Sequence, residues 1–390
     1  MPERDDTKTM QRAPGVSRRA FLRAAALGTC ALGLGAFHGA TSNANAQAAR
    51  RGLVGRRRSE WFEPAGGTDI RCTLCPHGCV IPSGSRGPCR VRENVDGNGY
   101  TLSYGNPCLV QLDPVERKPF FHVLPGTRAL SVSTAGCPIE CKFCEVWDTA
   151  LVSPEEVFAY DLPPEELVEH ALEAGASSLS YAFGEPVAFF EYMIDSARLA
   201  REAGLRNLVH TSGYLAEEPL ELLVDVVDAV NVDLKGFDDA FYRDMCGAEL
   251  EPVLRALSRI HAAGVHLEIT NLVIPTLNDG SEQLREMCRW IVRELGRDVP
   301  LHFARFYPLY QLANLPPTPV STLDRARAVA MEEGLRYVYV ARVTGHAGEN
   351  TFCPHCGEEA ISRMGFMVER VAVEEGRCTN CGGEIAGRWV

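Results

Sequence analysis

Residues 129–144 read ALSVSTAGCPIECKFC and combine a strand with a cysteine motif. The first seven residues are small or apolar, which predicts a buried strand. The loop after it carries Cys137, Cys141 and Cys144 in a Cys-x3-Cys-x2-Cys pattern. Because α/β barrels place their active sites at the carboxyl ends of the strands, this loop is expected to belong to a functional site.

The spacing of these three cysteines favours an iron–sulfur cluster. Three thiolates on a cubane of four irons leave one iron without a protein ligand. An open coordination position is where a metal site carries out chemistry, as in catalytic zinc sites. The alternative is a zinc site with a distant fourth ligand.

The chain beyond this loop alternates between short apolar runs and amphipathic helical stretches. The predicted strands after the first are 178–183, 207–210, 229–233, 265–273, 301–306 and 337–340. The predicted helices are 165–174, 190–203, 219–226, 252–263, 282–295 and 323–333. Such alternation implies a parallel sheet with right-handed crossovers. We predict an α/β fold, a partial (β/α)6 TIM-like barrel, with a doubly wound sheet as the alternative.

Eight further cysteines fall into two sets of four. The N-terminal set is Cys72, Cys75, Cys79 and Cys89, and the C-terminal set is Cys353, Cys356, Cys378 and Cys381. Two paired Cys-x-x-Cys turns are typical of a closed structural site, so the C-terminal set predicts a zinc-ribbon-like module holding zinc or a single iron. A pair of disulfides is the alternative. The N-terminal set is consistent with zinc, an auxiliary iron–sulfur cluster or disulfides, and its spacing favours a metal.

The distribution of charge separates the N-terminus from the rest of the chain. Residues 1–58 carry 11 Lys/Arg and three Asp/Glu, whereas the whole chain has a net charge of −12. The remaining body is therefore strongly acidic, which argues against nucleic-acid binding. No apolar run approaches the ~18 residues that a membrane helix needs.

The first 46 residues have the pattern of a bacterial export signal. Charged residues that include Arg18 and Arg19 precede a short apolar stretch, and Asn43-Ala-Asn-Ala46 resembles a cleavage site. The arginine pair resembles the twin-arginine class of signals. We therefore expect export to the periplasm, with a cytoplasmic location as the alternative.

The chain is thus predicted to contain five segments. They are a twin-arginine signal peptide at 1–46, a basic linker at 47–71, a cysteine-rich module at 72–128, the partial barrel at 129–345 and a ribbon with four cysteines at 346–390.

The cysteine motif, with Phe143 before its last cysteine, resembles the signature of radical S-adenosylmethionine (SAM) enzymes. The resemblance implies a [4Fe–4S] cluster on Cys137, Cys141 and Cys144 and SAM as the second cofactor. It implies that the reduced cluster cleaves SAM to a 5′-deoxyadenosyl radical, which abstracts hydrogen from a substrate. It also implies an electron donor. The substrate, a small molecule or a protein, is not specified by any motif.

Several other stretches between residues 72 and 390 resemble the radical enzyme of the AmmeMemoRadiSam system, itself similar to pyruvate formate-lyase activating enzymes. The cofactor-binding residues that the resemblance implies are Gly184, Glu185 and Pro186. Asp233 and Lys235 are further candidates for cofactor binding, because they lie at the end of a predicted strand and face the same end of the sheet. Asp233 could hydrogen-bond a ribose, or the two residues could form a buried ion pair. Gly184-Glu-Pro186 occupies the place of the family's Gly-Gly-Glu-Pro stretch, with Phe183 in place of the first glycine. Two other functions stay open: a glycyl-radical enzyme activase, and a metal-binding or electron-transfer protein without catalysis.

Overall fold

The computed structural model describes residues 48–390. These residues belong to one compact unit, Gln47–Val390. The predicted signal peptide, with Arg18 and Arg19, lies outside the described residues. Within the described range, no helix has both the length and the apolar character to cross a membrane.

Seven short strands precede the central sheet. They are β1 Arg50–Arg51, β2 Arg57–Arg58, β3 Phe62–Gly66, β4 Asp69–Cys72, β5 Val80–Ile81, β6 Arg92–Val95 and β7 Asn98–Thr101. Strands β3, β4 and β5 form one antiparallel sheet, and β2, β7 and β6 form another.

The described part of the predicted basic linker, residues 48–71, is built into the fold. The Arg57 guanidinium lies 4.2 Å from the ring centroid of Tyr104 and forms an ion pair with Asp195. Arg56 forms an ion pair with Glu93. These two arginines therefore make specific contacts with acidic and aromatic side chains of the folded chain.

The central sheet has eight strands. In chain order they are β8 Leu109–Pro114, β9 Arg128–Ser133, β11 Ser178–Tyr181, β12 Arg206–Thr211, β13 Ala229–Asp233, β14 His266–Val273, β15 Leu301–Arg305 and β16 Val338–Ala341, and the intervening β10, Phe158–Ala159, pairs with β1 instead. Strands β9 to β16 of this sheet are parallel, and β8 adds to β9 as an antiparallel edge. The ladder is open, with β16 and β8 at its two edges.

Six crossover helices connect the seven parallel strands, as the alternating pattern predicts. They are Pro164–Glu173, Phe190–Glu202, Glu217–Val226, Leu250–Ala262, Ser281–Glu294 and Val320–Glu332, and the shorter helices are Trp147–Ala150, Asp239–Phe241 and the π-helix Tyr242–Cys246. Each crossover helix buries one apolar face; Val253, Ala256, Leu257 and Ile260 do so in the fourth. The mixed α/β fold with a large parallel sheet is confirmed.

The C-terminal segment forms a small β module that packs on the central sheet. Its strands are β17 Thr351–Phe352, β18 Glu359–Met364, β19 Met367–Val371, β20 Val373–Glu374 and β21 Arg377–Cys378. The buried guanidinium of Arg363 donates a 2.7 Å hydrogen bond to the Phe121 carbonyl. The Arg388 amide donates to the His122 carbonyl at 2.7 Å. The module therefore shares contacts with the chain segment that leads into β9.

Candidate active site

A cavity of about 820 Å³ lies at the carboxyl ends of the parallel strands. Each of the seven strands contributes lining residues at or just beyond its end, as Glu185 follows β11, Asp233 ends β13 and Ala341 ends β16. Cys137, Cys141 and Cys144 line the same cavity. The structure thus brings the cysteine loop and the strand-end residues together, as their order in the sequence predicts.

The cysteine loop is held by the π-helix Tyr242–Cys246. The Glu140 amide donates to the Cys246 carbonyl at 2.8 Å, and the Lys142 amide donates to the Met245 carbonyl at 2.9 Å. Both donors lie within the motif, so the backbone path between its cysteines is fixed by a second element. A π-helical turn inside a helical segment is frequently found at functional sites.

The chemistry of the three thiols fits a metal cluster. Burial, and then the nearby Glu185 carboxylate, raises the pKa of the Cys137 thiol well above its usual value. A thiol in this position is a stable thiolate only when a metal replaces its proton. Cys137, Cys141 and Cys144 line one cavity, which suits a [4Fe–4S] cluster with one iron open to the cavity.

Glu185 is buried, with about 6% of its surface exposed. Its carboxylate accepts hydrogen bonds from the Thr211 hydroxyl at 2.5 Å and from the Ser212 amide at 2.8 Å. It also lines the cavity. Glu185 is therefore a fixed carboxylate inside the site.

Phe183 adopts a left-handed backbone conformation with φ of 74°. This conformation favours glycine, which explains why glycine suits the equivalent place in the family motif. The ring of Phe183 faces the Lys118 ammonium, whose Nζ lies 4.4 Å from the ring centroid. This cation–π contact stabilises a conformation that is strained for a phenylalanine.

Gly184 and Pro186 have different positions relative to the cavity. A Cβ atom on Gly184 would lie 2.2 Å from the Ser133 hydroxyl oxygen, so only glycine fits there. Pro186 is buried and begins a 3-10 turn, Pro186–Phe189. Gly184 lines the cavity and Pro186 does not, so Pro186 shapes the turn rather than the cavity surface.

Asp233 and Lys235 form the ion pair that was one of two interpretations of their spacing. The Lys235 ammonium donates to one carboxylate oxygen of Asp233 at 2.9 Å, and His210 contacts the other at 2.8 Å. Burial alone would raise the pKa of Asp233, but the charges of Lys235 and His210 hold it well below its usual value. The pair lines the cavity in its ionised form.

Several lining residues carry no motif and were not predicted. Arg342 pairs with Glu145 just after the last cysteine. Burial raises the pKa of Glu116 to about 7. Met364, Gly365 and Phe366 come from the turn between β18 and β19, so the C-terminal module also forms part of the cavity wall. Only tertiary packing brings these side chains to the site.

The C-terminal cysteines converge on one point. The sulfurs of Cys353 and Cys381 lie 3.7 Å apart, and those of Cys356 and Cys378 lie 3.9 Å apart. Four sulfurs at 2.3 Å from one tetrahedral ion lie about 3.8 Å from each other. Over residues 48–390, this is the only group of three or more metal-ligating side chains whose ligand atoms all lie within 4.8 Å of one another. It fits a metal-binding module.

The N-terminal cysteines also share one location. Cys72, Cys75, Cys79 and Cys89 all line a second, smaller cavity. All 14 cysteines of the described chain are free thiols.

A family model of the radical SAM superfamily matches residues 131–291, which span the cysteine loop and the carboxyl ends of five of the parallel strands. An uncharacterized protein from Methanocaldococcus jannaschii is 42% identical over 331 residues, which cover 84% of this chain and 98% of that protein. The chain belongs to the radical SAM superfamily.

Two other relatives have names that state an activity. The pyruvate formate-lyase-activating enzyme of Clostridium pasteurianum is 27% identical over 173 residues, covering 43% of this radical SAM protein and 70% of the relative. The benzylsuccinate synthase activating enzyme of Thauera aromatica is 24% identical over 231 residues, covering 56% of this chain and 68% of the relative.

Proposed function

We propose that this protein is an enzyme that binds SAM beside a [4Fe–4S] cluster and uses the pair to abstract hydrogen from a substrate. The observation that carries the proposal is the single cavity that holds Cys137, Cys141 and Cys144 together with Glu185 and the Asp233–Lys235 pair. When bound, the cluster and SAM supply a 5′-deoxyadenosyl radical. The protein supplies their positions and excludes water from the site.

The charges in the cavity suit the functional groups of SAM. Glu185 presents a carboxylate that is already held by three donors, and its negative charge suits the amino group of the methionine moiety. Asp233 and Lys235 offer an acceptor and a donor to a ribose or a carboxylate. Gly184 allows the chain to pack closely against Ser133 beside these groups, because a Cβ there would clash with the Ser133 hydroxyl.

A glycyl-radical enzyme activase is the second candidate. It is supported by the names of the Clostridium and Thauera relatives, which are activating enzymes. The AmmeMemoRadiSam branch is supported by the N-terminal cysteines and the C-terminal module, both of which lie beside the radical SAM core. A metal-binding protein without catalysis is the third candidate, and cleavage of SAM separates it from the other two.

Two further parts of the proposal concern the metal and the location. We propose zinc in the C-terminal module, because its sulfurs have the separation that one tetrahedral ion needs. We also propose export by the twin-arginine route, supported by Arg18, Arg19 and the cleavage pattern that ends at Ala46.

Replacement of Cys141 by Ala tests the enzymatic proposal. Because the variant lacks one of three cluster ligands, we expect the visible absorbance of this cluster and the formation of 5′-deoxyadenosine to be lost together. Both are measured after anaerobic reconstitution and reduction. Cys288→Ala is the matched control, because Cys288 is a buried free thiol on the helix Ser281–Glu294. Cleavage of SAM by Cys141→Ala at the normal rate would contradict the proposal.

A further inference from the structure

The four N-terminal cysteines, Cys72, Cys75, Cys79 and Cys89, surround a small cavity. They line a cavity of about 30 Å³, which exceeds the roughly 10–15 Å³ that one water molecule needs. Cys72 ends β4, and its amide donates to the Cys79 carbonyl at 2.9 Å. The Gly78 amide donates to the Cys75 carbonyl at 3.1 Å. These bonds fold the turn so that the cysteines face one cavity.

The spacing of these sulfurs differs from that of the C-terminal site. In the part of the chain described, only Cys353, Cys356, Cys378 and Cys381 have all their sulfurs within 4.8 Å of one another. The N-terminal sulfurs are therefore spread more widely than a single zinc ion requires. In an iron–sulfur cluster the thiolates bind different irons, so the sulfurs lie farther apart around a central space.

The walls of this cavity suit a buried anionic group. Apolar side chains such as Leu74 and Ile81 exclude water, and the single cation is Arg92. Arg92 is about 2% exposed, and its Nη2 donates to Glu191 at 2.8 Å. Its buried Nε has no hydrogen-bond partner among the described residues. An unpaired buried donor is unfavourable, and the sulfur atoms of a cluster would supply its acceptor.

This second cavity lies directly behind the cysteine loop of the active site. Pro138 lines the second cavity, while its neighbours Cys137 and Ile139 line the large one. The Pro138 carbonyl is 2.9 Å from Nε2 of His77, which lies between Cys75 and Cys79. A Cβ on Gly136 would be 3.0 Å from the Cys89 carbonyl oxygen. One thickness of backbone thus separates the two cysteine sites.

We propose that Cys72, Cys75, Cys79 and Cys89 hold a second iron–sulfur cluster that relays single electrons to the cluster on Cys137, Cys141 and Cys144. A low-potential one-electron donor, a reduced flavin or iron–sulfur protein, gives one electron to the second cluster. That cluster is oxidised again when the electron passes across Pro138, so no atoms are transferred and no proton is required. The relay rests on the proposed function, whereas the presence of the second cluster does not.

The test compares the anaerobically reconstituted full chain with its Cys79→Ala variant. Cys79 is only half-buried, so its replacement perturbs the fold less than that of Cys72. We expect the variant to lose about two or about four iron atoms per chain, the content of one cluster, with matching loss of sulfide. The paramagnetic resonance signal that responds to SAM should be retained. Formation of 5′-deoxyadenosine with a reduced flavodoxin-type donor should slow by about tenfold or more.

Cys288→Ala is the control and should retain all its iron. Cys89→Ala is a second variant that should behave like Cys79→Ala, and circular dichroism checks the fold of both. Zinc in place of iron at this site, or an equal iron content in the wild type and both variants, would contradict the presence of a second cluster. Equal rates of 5′-deoxyadenosine formation in the wild type and the variants with the protein donor would contradict the relay. A wild type with two clusters and no SAM cleavage would instead contradict the proposed function alone.

Discussion

Glu185 stays at a fixed position inside the cavity because three donors hold its carboxylate, one of them the Val187 amide at 3.3 Å. Thr211 and Ser212 lie at the end of the neighbouring strand β12, and each donates one hydrogen bond to it. The remaining lone pairs of the two oxygens are available to a ligand. In a buried site, a carboxylate prepared in this way favours a cationic group over a neutral one.

Replacement of Glu185 by Gln should weaken SAM binding while leaving the cluster in place. The variant loses the negative charge, and a hydrogen bond to a charged group contributes about 1.5–3 kcal/mol, so we expect the dissociation constant to rise by roughly 10- to 150-fold. Anaerobic equilibrium dialysis with SAM measures this change, and iron analysis shows whether the cluster remains.

Glu140→Gln is the matched control for this change. Glu140 lies in the cysteine motif, but its side chain is exposed and pairs with Arg90 outside the cavity. The Glu140→Gln variant should bind SAM as the wild type does. If Glu185→Gln bound SAM with unchanged affinity, the assignment of Glu185 to the amino group would fail.

The sequence predicts some of these residues and not others for a physical reason. Glu185 was predicted from its place in the family's Gly-Gly-Glu-Pro stretch. Asp233 was predicted because it ends an apolar run, and the carboxyl ends of parallel strands meet at one edge of a sheet. His210 also ends such a run, but its contact with Asp233 depends on the register between β12 and β13. Arg342 and Phe366 reach the cavity through packing of distant segments, which no local pattern encodes.

At the level of elements, the π-helix Tyr242–Cys246 positions the cysteine loop. It ends at Gly247, which has a left-handed φ of 62°. The carbonyls of Met245 and Cys246 then accept the Lys142 and Glu140 amides. The conformation at Gly247 therefore affects the geometry of the cluster ligands.

Replacement of Gly247 by Ala should destabilise the protein and loosen the cluster. A left-handed conformation is unfavourable for alanine by about 1–2 kcal/mol. We expect a lower melting temperature and faster loss of iron to a chelator. Gly264→Ala is the control, because Gly264 has a similar φ of 73° with open space around it, after the helix Leu250–Ala262. Equal rates of iron loss in the two variants would show that the π-helix does not hold the cluster loop.

The C-terminal module should hold one zinc ion that is separate from the iron of the active site. Cys356→Ala removes an exposed ligand and should lose about one zinc per chain and lower the melting temperature, because a structural metal stabilises the fold. Elemental analysis measures zinc and iron together. Cys108→Ala, which removes a free thiol, is the control. Unchanged metal content in Cys356→Ala would favour disulfides.

A point variant is a sharper test of this metal site than removal of the module. Arg363 and Arg388 hydrogen-bond the carbonyls of Phe121 and His122, so a truncation near Thr351 would also expose the segment that leads into β9. The two metal sites are thus expected to share no ligands, although the modules that carry them pack against each other.

Elements with strong periodicity were the ones that the sequence predicted well. The six crossover helices lie within about three residues of their predicted bounds, because each buries a continuous apolar face. The strands β1 to β7 were missed in the linker and the cysteine-rich module. They have two to five residues each, and short strands do not establish a period. Their stability comes from partners such as Asp195 that are distant in sequence.

At the scale of the whole molecule, charge divides the chain into two parts. The N-terminal 58 residues are basic and the chain as a whole has a net charge of −12. In the described part, Arg50, Arg56 and Arg57 have acidic partners. The positive charge before residue 47 belongs to the predicted export signal.

Replacement of both Arg18 and Arg19 by Lys should keep the mature protein out of the periplasm. Lysine preserves the charge but cannot reproduce the planar guanidinium fork, so a receptor that reads two arginines should not bind the variant. Fractionation of cells and N-terminal sequencing measure the location and the processing of each protein. The wild type should be periplasmic with an N-terminus near Gln47. The variant should accumulate in the cytoplasm as the precursor. Arg4→Lys with Arg12→Lys makes the same chemical change outside the pair and should be exported normally. Identical distributions of all three proteins, or a wild type that retains Met1, would contradict cleaved export by this route and would place the enzyme with cytoplasmic electron donors.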